Sequence, residues 1–362
     1  MEGSPASRDR DQREGARLSA WEATADVPQF QALSADATAD VCVVGAGIAG
    51  LTTAYHLLQA GRSVIVLDDG PIGGGETGRT TAHVATSIDD YYHEVARVHG
   101  GETARRVAES FVAAVDRIEQ IVRDERIDCG FMRLDGWWFA SDDDGRKALA
   151  KEQEAARAAG LADVEMRAEW PLSSTFNTPG LRFPRQAQFH ALRYLAGLAR
   201  AVEKRGGRIF SGAHVDAVTD GVPCTVKTSA GRTVRAASVV VATNSPSNDW
   251  VTMHTKQSAF RTYAIGLEVQ RGAVPTALYW DTREPYHYVR LMDPAAPGDT
   301  DVLIVGGEDH KTGQAKGPEE DAFDRLERWA RANFPVRDVV YRWSGQVLEP
   351  VDFLAFIGRN PG

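Results

Sequence analysis

The sequence is poor in cysteine, in long apolar runs and in blocks of one charge sign, and each shortage excludes something. Only Cys42, Cys129 and Cys224 occur. An odd number at wide spacing fits neither a disulfide framework nor a zinc site, so no metal site is expected. No Cys-x-His element pairs with a Cys-x-x-His element, which leaves the chain without a Rieske-type iron–sulfur cluster of its own. All three cysteines stand in strand-like apolar contexts and are expected to be small buried hydrophobes. No apolar run approaches the roughly eighteen residues a spanning helix needs, so no membrane span is expected. The opening MEGSPASRDRDQREGARLSAW has no apolar segment behind its arginines; neither a secretory nor a twin-arginine leader is expected, and a cytoplasmic location is the default. With 41 basic and 50 acidic residues the net charge is −9, and no basic stripe of the kind nucleic acid requires is present.

The chain has 362 residues, 43% of them hydrophobic. At about 100–200 residues per domain that predicts two or three folding units, each with a core. Residues 1–37 show no period and read as a loosely ordered arm, with Trp21 and Phe30 placed to tack it to the body. Order begins at Asp40. VCVVGAGIAG, LTTAYHLLQAGR and SVIVLDDG read as strand, glycine turn, helix and strand within about thirty residues. The helix carries Ile48, Leu51, Ala54, Tyr55 and Leu58 as an apolar stripe that needs a sheet to bury it, and Gly61 caps it. A long helix is predicted over 102–126, with Val107, Phe111, Val115, Ile118 and Val122 on one face. A strand (FMRLDGWWFA) and a helix over 144–159 follow. Later come a helix (ALRYLAGLARAVEKRGG), a hairpin turning at Ala230-Gly231, a buried strand (SVVVATN), alternating strands, one amphipathic helix (DAFDRLERWARANF) and a closing strand-turn piece, YRWSGQVLEPVDFLAFIG.

Gly45, Gly47 and Gly50 form G-x-G-x-x-G. The first glycine permits the tight turn, the second lets backbone approach a pyrophosphate, and the third allows close helix-to-strand packing. Ala46, Ile48 and Ala49 complete the turn, whose free N–H groups at the helix N-terminus suit phosphate. Asp68 closes the second strand at the right distance for ribose hydroxyls and continues the apolar run more directly than Asp69. An acid there disfavours the 2′-phosphate of NADP, leaving FAD and NAD.

The next stretch, PIGGGETGRTTAHV, is a second glycine-rich loop, seldom found at this place in nicotinamide dehydrogenases. Here the sequence resembles the FAD-dependent oxidoreductases of the D-amino-acid oxidase and glycine or sarcosine oxidase superfamily. It is most similar to bacterial amine oxidases of the gamma-glutamylputrescine oxidase type, some of which carry a C-terminal Rieske domain. The resemblance runs from about Asp40 to the end. It implies FAD as cofactor, with Gly75, Thr77, Gly78 and Arg79 along the diphosphate and Thr80, Thr81 and His83 approaching the isoalloxazine. It also implies a strand meeting the adenine at Ala213, His214 and Val215, and a later strand end at Ala242, Thr243 and Asn244. Flavin attachment through a histidine occurs in some relatives, in a frame slightly different from that of His83.

Removal of a hydride from a carbon beside an amine needs an electron sink and a base that secures the neutral amine. The resemblance implies His310, in VGGEDHKTGQ, as an active-site histidine, and a tyrosine facing the flavin in the strand of Tyr286, Tyr288 and Arg290. Alternation puts those three on one face, with Arg290 offered to a substrate carboxylate. Lys256 and Lys311 are further candidate cations, and Trp137, Trp138 and Trp343 read as core or interface residues.

The expected fold is α/β, a discontinuous Rossmann-like FAD-binding domain (38–126, 180–250, 345–362) with an α+β substrate domain on an antiparallel sheet (127–179, 251–344). The expected reaction is oxidation of a small amine or amino acid to an imine, with electrons passing to oxygen or to an iron–sulfur or quinone partner. Two rivals stand beside it: a hydroxyl dehydrogenase related to glycerol-3-phosphate dehydrogenase, for which only Arg261 and Arg290 could meet a phosphate, and a non-catalytic fragment. The second arises because the family continues past Phe356-Ile357-Gly358 into a helix that closes the flavin pyrimidine end. On that resemblance, a chain ending at Gly362 is expected to hold FAD weakly.

Overall fold

A computed structural model describes residues 18–244, 256–293, 295, 298–314, 317–355 and 357. Residues 1–17 of the expected arm, and Phe356 and Gly358 of the expected closing strand, lie outside them. Two sheets organise the described residues. In the first, six strands run in the order Arg208–Phe210, Val64–Leu67, Ala37–Val44, Thr233–Val241, Cys224–Thr228 and Val215–Thr219. The first four of these are parallel and the last two form an antiparallel flap. Val41–Val44 and Val64–Leu67 are buried on both faces, as a parallel sheet covered by helices requires. The helix Ile48–Gln59 packs against Ala191–Lys204 and buries Leu51, Ala54 and Tyr55 beneath it. Gly61 follows its end at φ +75°.

The second sheet has nine strands. Its order is Val336–Pro350, Gln257–Gln270, Thr300–Lys311, His287–Leu291, Leu278–Asp281, Met132–Phe139, Gly180–Gln188 and His83–Val84, with Glu165–Arg167 beside Gly180–Gln188. Most pairs are antiparallel; Leu278–Asp281 and Met132–Phe139 run parallel. The helix Glu319–Asn333 covers one face, where Phe323 meets Tyr263 edge-on at 5.2 Å between ring centroids. Trp137, Trp138 and Trp343 are buried.

Several expectations shift. Gly180–Gln188, expected with the FAD-binding segments, pairs within the nine-stranded sheet, and the boundary expected at 345 falls inside the continuous strand Val336–Pro350. Gly345 lies within that strand, where a side chain would crowd Glu76 Oε2 at 3.2 Å. Among the described residues of the arm, Ser19 caps a short helix, Ala20–Thr24, with a reciprocal Ser19–Glu22 capping box, and Trp21 is wholly buried. The long helix, Gly101–Glu125, buries Ala104, Ala108, Val115 and Ile121, while Phe111 is 40% exposed. Small residues let this helix lie close to its neighbour Tyr92–His99, which turns Phe111 outward. Cys224 is only half-buried, and the end of SVVVATN is open, Val241 being 44% exposed.

These differences separate two phenylalanines that look alike in sequence. Phe323→Ala is expected to cost about 3–5 kcal/mol of stability, and Phe111→Ala within about 0.5 kcal/mol of nothing. Urea unfolding of the two variants measures the contrast.

Candidate active site

The first glycine turn is built by steric necessity. Gly45 has φ +106°, and a Cβ there would stand 2.4 Å from the Ala242 carbonyl; one on Gly50 would stand 1.9 Å from the Gly45 carbonyl. Gly45 N–H donates to Leu67 O and Ala242 N–H to Val44 O, each at 2.7 Å, so Ala242 and Thr243 leave their strand beside the turn. Gly47, at the helix N-cap, has no side chain of its own to cap the first turn. The Ile48 N–H donates to Thr77 Oγ1 at 3.1 Å, which brings the two glycine loops into contact. Ala49, in the first turn of that helix, is exposed. Asp68 accepts from Ala46 N–H at 2.5 Å and from Gly70 N–H at 2.8 Å, fixing its carboxylate beside the turn. Asp69 points outward and pairs with His214 at 3.4 Å. Ala213 N–H donates to Asp68 O at 2.8 Å, placing His214 and Val215 at the same edge. The segments expected to meet ADP therefore converge.

The second loop is gripped from outside. Glu76–Gly78 is one turn of 3-10 helix, and Gly75 borders open space. Five successive carbonyls then accept from side chains of remote segments. Ser19 Oγ donates to Gly78 O at 2.6 Å, Trp343 Nε1 to Arg79 O at 2.8 Å, and Trp21 Nε1 to Thr80 O. Arg290 donates to Thr81 O at 3.2 Å and to Ala82 O at 2.8 Å. Glu76 accepts from the Gln346 N–H at 2.7 Å.

This corrects the role expected for Arg290. Its guanidinium is fully buried and also donates to Phe189 O, Leu291 O and Met292 O. Those carbonyls consume the donors a substrate carboxylate would need. Arg290 positions the loop.

Above that loop lies an aromatic pocket. The His83 ring stands 5.5 Å from Trp280 and 5.6 Å from Tyr288, edge-on to the latter. Burial, reinforced by Arg290, pushes the His83 pKa down to about 3, so its imidazole is neutral. Tyr286 lies 5.6 Å from Tyr288, whose hydroxyl pairs with Thr262 Oγ1 at 2.7 Å. Alternation holds along this strand: His287 faces the opposite side and stacks on Trp329 of the covering helix at 4.2 Å.

Alternation fails in the next strand, and His310 is misplaced by it. Arg261 pairs with His310 but Tyr263 pairs with Gly307, a register shift, and Gly307 and Glu308 have φ of +139° and +59°. Such a β-bulge inserts one residue and swaps the faces beyond it. Glu308 and His310 consequently face the covering helix: Glu308 bonds Arg325, and His310 stacks on Tyr263 at 5.7 Å. Asp309 turns into the pocket instead. Desolvation raises its pKa to about 7 despite a hydrogen bond from Thr262, with Asp89, Glu349 and Glu284 adding to the effect. Its Oδ1 is buried and takes no hydrogen bond among the described residues. Glu349 is likewise raised to about 7 and Asp89 to about 6, by desolvation first and by neighbouring acids second. None of these acids stood out in the sequence; the signal for Asp309 was the Gly306-Gly307 pair that marks the bulge. Lys311 lies at the rim, 5.9 Å from the Phe260 ring centroid.

Two sheets with glycine loops at their junction define the fold class of two-domain flavoproteins. The family model described as FAD dependent oxidoreductase (DAO) matches residues 40–362, and the chain belongs to that family. Gamma-glutamylputrescine oxidoreductase of Escherichia coli (strain K12) is 30% identical over 347 residues, covering 91% of this chain and 78% of its own. A Bacillus subtilis (strain 168) protein named as a Rieske 2Fe-2S iron-sulfur protein is 28% identical over 93% of this chain, which spans 65% of that relative's length. Among solved structures, glycine oxidase from Geobacillus kaustophilus superposes with a TM-score of 0.67 at 17% identity, covering 90% of this chain and 86% of its own. L-proline dehydrogenase from P. horikoshii superposes at 0.70 and 16% identity, with the same coverage. These structures share the fold.

The residues present fit FAD, the family's cofactor. Gly45, Gly47 and Gly50 keep three side chains out of the turn at 45–50, the second loop joins it through Thr77, and Asp68 stands beside it. Among the described residues no group of His, Cys, Asp and Glu is arranged for a metal ion, and no helix is long and apolar enough to cross a membrane.

The acid cluster sets a pH dependence. A carboxyl near 3.9 when unfolded and near 7 when folded binds more protons in the native state between those values. Stability is therefore full at the acid end and declines as pH rises through that window. Asp309→Asn is expected to flatten the fall in melting temperature of the cofactor-free chain between pH 5 and 8, with Glu349 keeping the remainder. An unchanged slope would show that Asp309 does not titrate there.

Proposed function

We propose that this chain oxidises a small amine or amino acid to an imine, which water then hydrolyses. The observation that carries the reading is Asp309, a carboxyl with pKa near 7 turned into an aromatic pocket beside Asp89 and Glu349. Bound FAD supplies the acceptor for the hydride leaving the carbon next to nitrogen. The rest falls to side chains of the chain itself. An ammonium entering the pocket meets carboxylates and the faces of Tyr286, Tyr288 and Trp280, which favour a cation by charge and by cation–π attraction. A carboxylate at position 309 takes one ammonium proton and leaves the neutral amine that hydride loss requires, since a group with pKa near the working pH does this best. Loss of the hydride from that amine leaves an iminium, whose hydrolysis returns a carbonyl compound and ammonium or a smaller amine. The neutral His83 and the buried Tyr288 shape the pocket without adding charge.

The same acids argue against a phosphate ester as substrate. Both arginines that reading relied on are otherwise engaged: Arg290 by carbonyls, and Arg261 by Ser344 at 3.0 Å and Glu319 at 3.4 Å on the helix-covered side. We further propose oxygen, or an iron–sulfur or quinone partner, as electron acceptor; the Rieske name of the Bacillus relative supports the partner alternative.

An anaerobic titration of the flavin-loaded chain with a panel of amines and amino acids tests the reading. Bleaching of the flavin absorbance is expected with at least one amine. Bleaching by hydroxyl substrates alone would overturn it. Asp309→Asn is expected to slow that bleaching roughly 100-fold at neutral pH, with the deficit shrinking as pH rises toward the amine's own pKa. Rapid-mixing spectroscopy across pH measures this.

A further inference from the structure

The family match begins at residue 40, yet the preceding segment holds part of the flavin loop. We propose that Ser19–Thr24 is a built-in strap of the cofactor site, with Trp21 as the positioning residue that sets the loop at the isoalloxazine end.

The argument starts from peptide geometry. In a trans peptide the carbonyl and the following N–H point in opposite directions. Trp21 Nε1 takes the carbonyl of Thr80, so the N–H of Thr81 is turned away from the strap. Ser19 Oγ holds the carbonyl of Gly78 in the same sense. Neighbouring N–H groups are engaged within the loop: Arg79 and Thr80 donate to Glu76 O, and Ala82 donates to Thr80 Oγ1. Orientation of the Thr80–Thr81 peptide thus depends on Trp21.

Trp21 is itself fixed on every side. Its ring is wholly buried, packs edge-on against His190 at 4.9 Å, and lies 5.3 Å from the Arg290 guanidinium carbon. His190 in turn meets Thr24 Oγ1 at 2.9 Å and accepts from the Arg193 N–H. The Ser19–Glu22 capping box holds the turn that presents both side chains. So much buried contact on one turn of helix exceeds what anchoring a terminus needs. It is explained if the loop's geometry matters to what binds above it.

The strap touches Gly78 and Thr80, not the turn at 45–50, so its effect is specific to the flavin end. Trp21→Phe keeps the ring and removes the donor. A net hydrogen bond of roughly 0.5–1.5 kcal/mol corresponds to an FAD dissociation constant raised about two- to twelvefold. The dissociation constant for ADP, which meets the first turn and the Asp68 edge rather than the Thr80–Thr81 peptide, is expected to be unchanged, while the melting temperature of the cofactor-free chain falls modestly because the bond is also made without cofactor. Fluorescence titration with FAD and competition with ADP read both constants; no amine is involved, so the outcome is independent of the substrate proposed above. Ser19→Ala gives a second variant should Trp21→Phe fold poorly; it releases the Gly78 carbonyl instead of that of Thr80, and FAD affinity is again expected to fall. FAD and ADP affinities falling together, neither changing, or a wild-type chain with no affinity for FAD would each overturn the proposal.

Discussion

A single buried cation, the guanidinium of Arg290, ties this structure together. An unpaired charge in the interior is costly, and here desolvation lowers the arginine's pKa to about 9. The compensation comes chiefly from carbonyl dipoles: Thr81 and Ala82 of the second glycine loop, Phe189 at the end of Gly180–Gln188, and Leu291 and Met292 of its own strand. Each of those carbonyls would lose a charged donor without it. Loop, strand end and sheet are therefore interdependent through one side chain, and the buried Trp21 ring closes the remaining side. A lysine could not replace it, because one ammonium with three donors cannot reach acceptors spread around a planar fork.

The bulge at Gly307–Asp309 has comparable weight for the chemistry. Tyr288 lies flat across Gly306, where a Cβ would stand 2.0 Å from the ring. Trp280 crosses Gly136 in the same way, 2.6 Å from where a Cβ would be. Two glycines thus make room for the two rings that flank His83, and the bulge beside the first of them turns a carboxyl toward those rings. A regular strand would have put His310 there instead.

How much of this was legible follows from the range of the signals. The unit from Asp40 to Asp68 was readable because strand, turn, helix and strand are each specified locally, and the glycine spacing has steric reasons that hold in any context. The convergence of Thr77 with Gly47, and of Ala242 with Gly45, came only through family resemblance, since no local pattern encodes contact across two hundred residues. The face assignment held where alternation was unbroken, at Tyr286 to Arg290, whereas His310, expected from the resemblance, is turned to the other face by the bulge. Arg290 was placed on the correct face but given the wrong work, because the sequence does not show how many carbonyls surround a guanidinium. In the arm, Trp21 tacks the chain to the body as its aromatic character suggested, but the helix it stands on and the partners of Ser19 and Trp21, about sixty residues away, have no local signal in so charged a segment.

The acid cluster shows why this pocket is poor at being merely structural. Beyond desolvation, Asp89 and Glu349 raise the Asp309 pKa, Asp90 and Asp89 raise that of Glu349, and Asp90 raises that of Asp89, while the Lys311 charge lowers only that of Glu349 among them. At neutral pH the fold must hold them part-protonated or accept their repulsion. A core selected for stability alone would replace such groups with apolar ones, as measured swaps of buried charge suggest. Strain of this kind persists where surrounding structure over-determines it, and it clusters where ligands bind. On the function proposed above, a cation entering the pocket would relieve the same desolvation and repulsion, so the cost of this acid cluster and an attraction for an amine would have one physical origin.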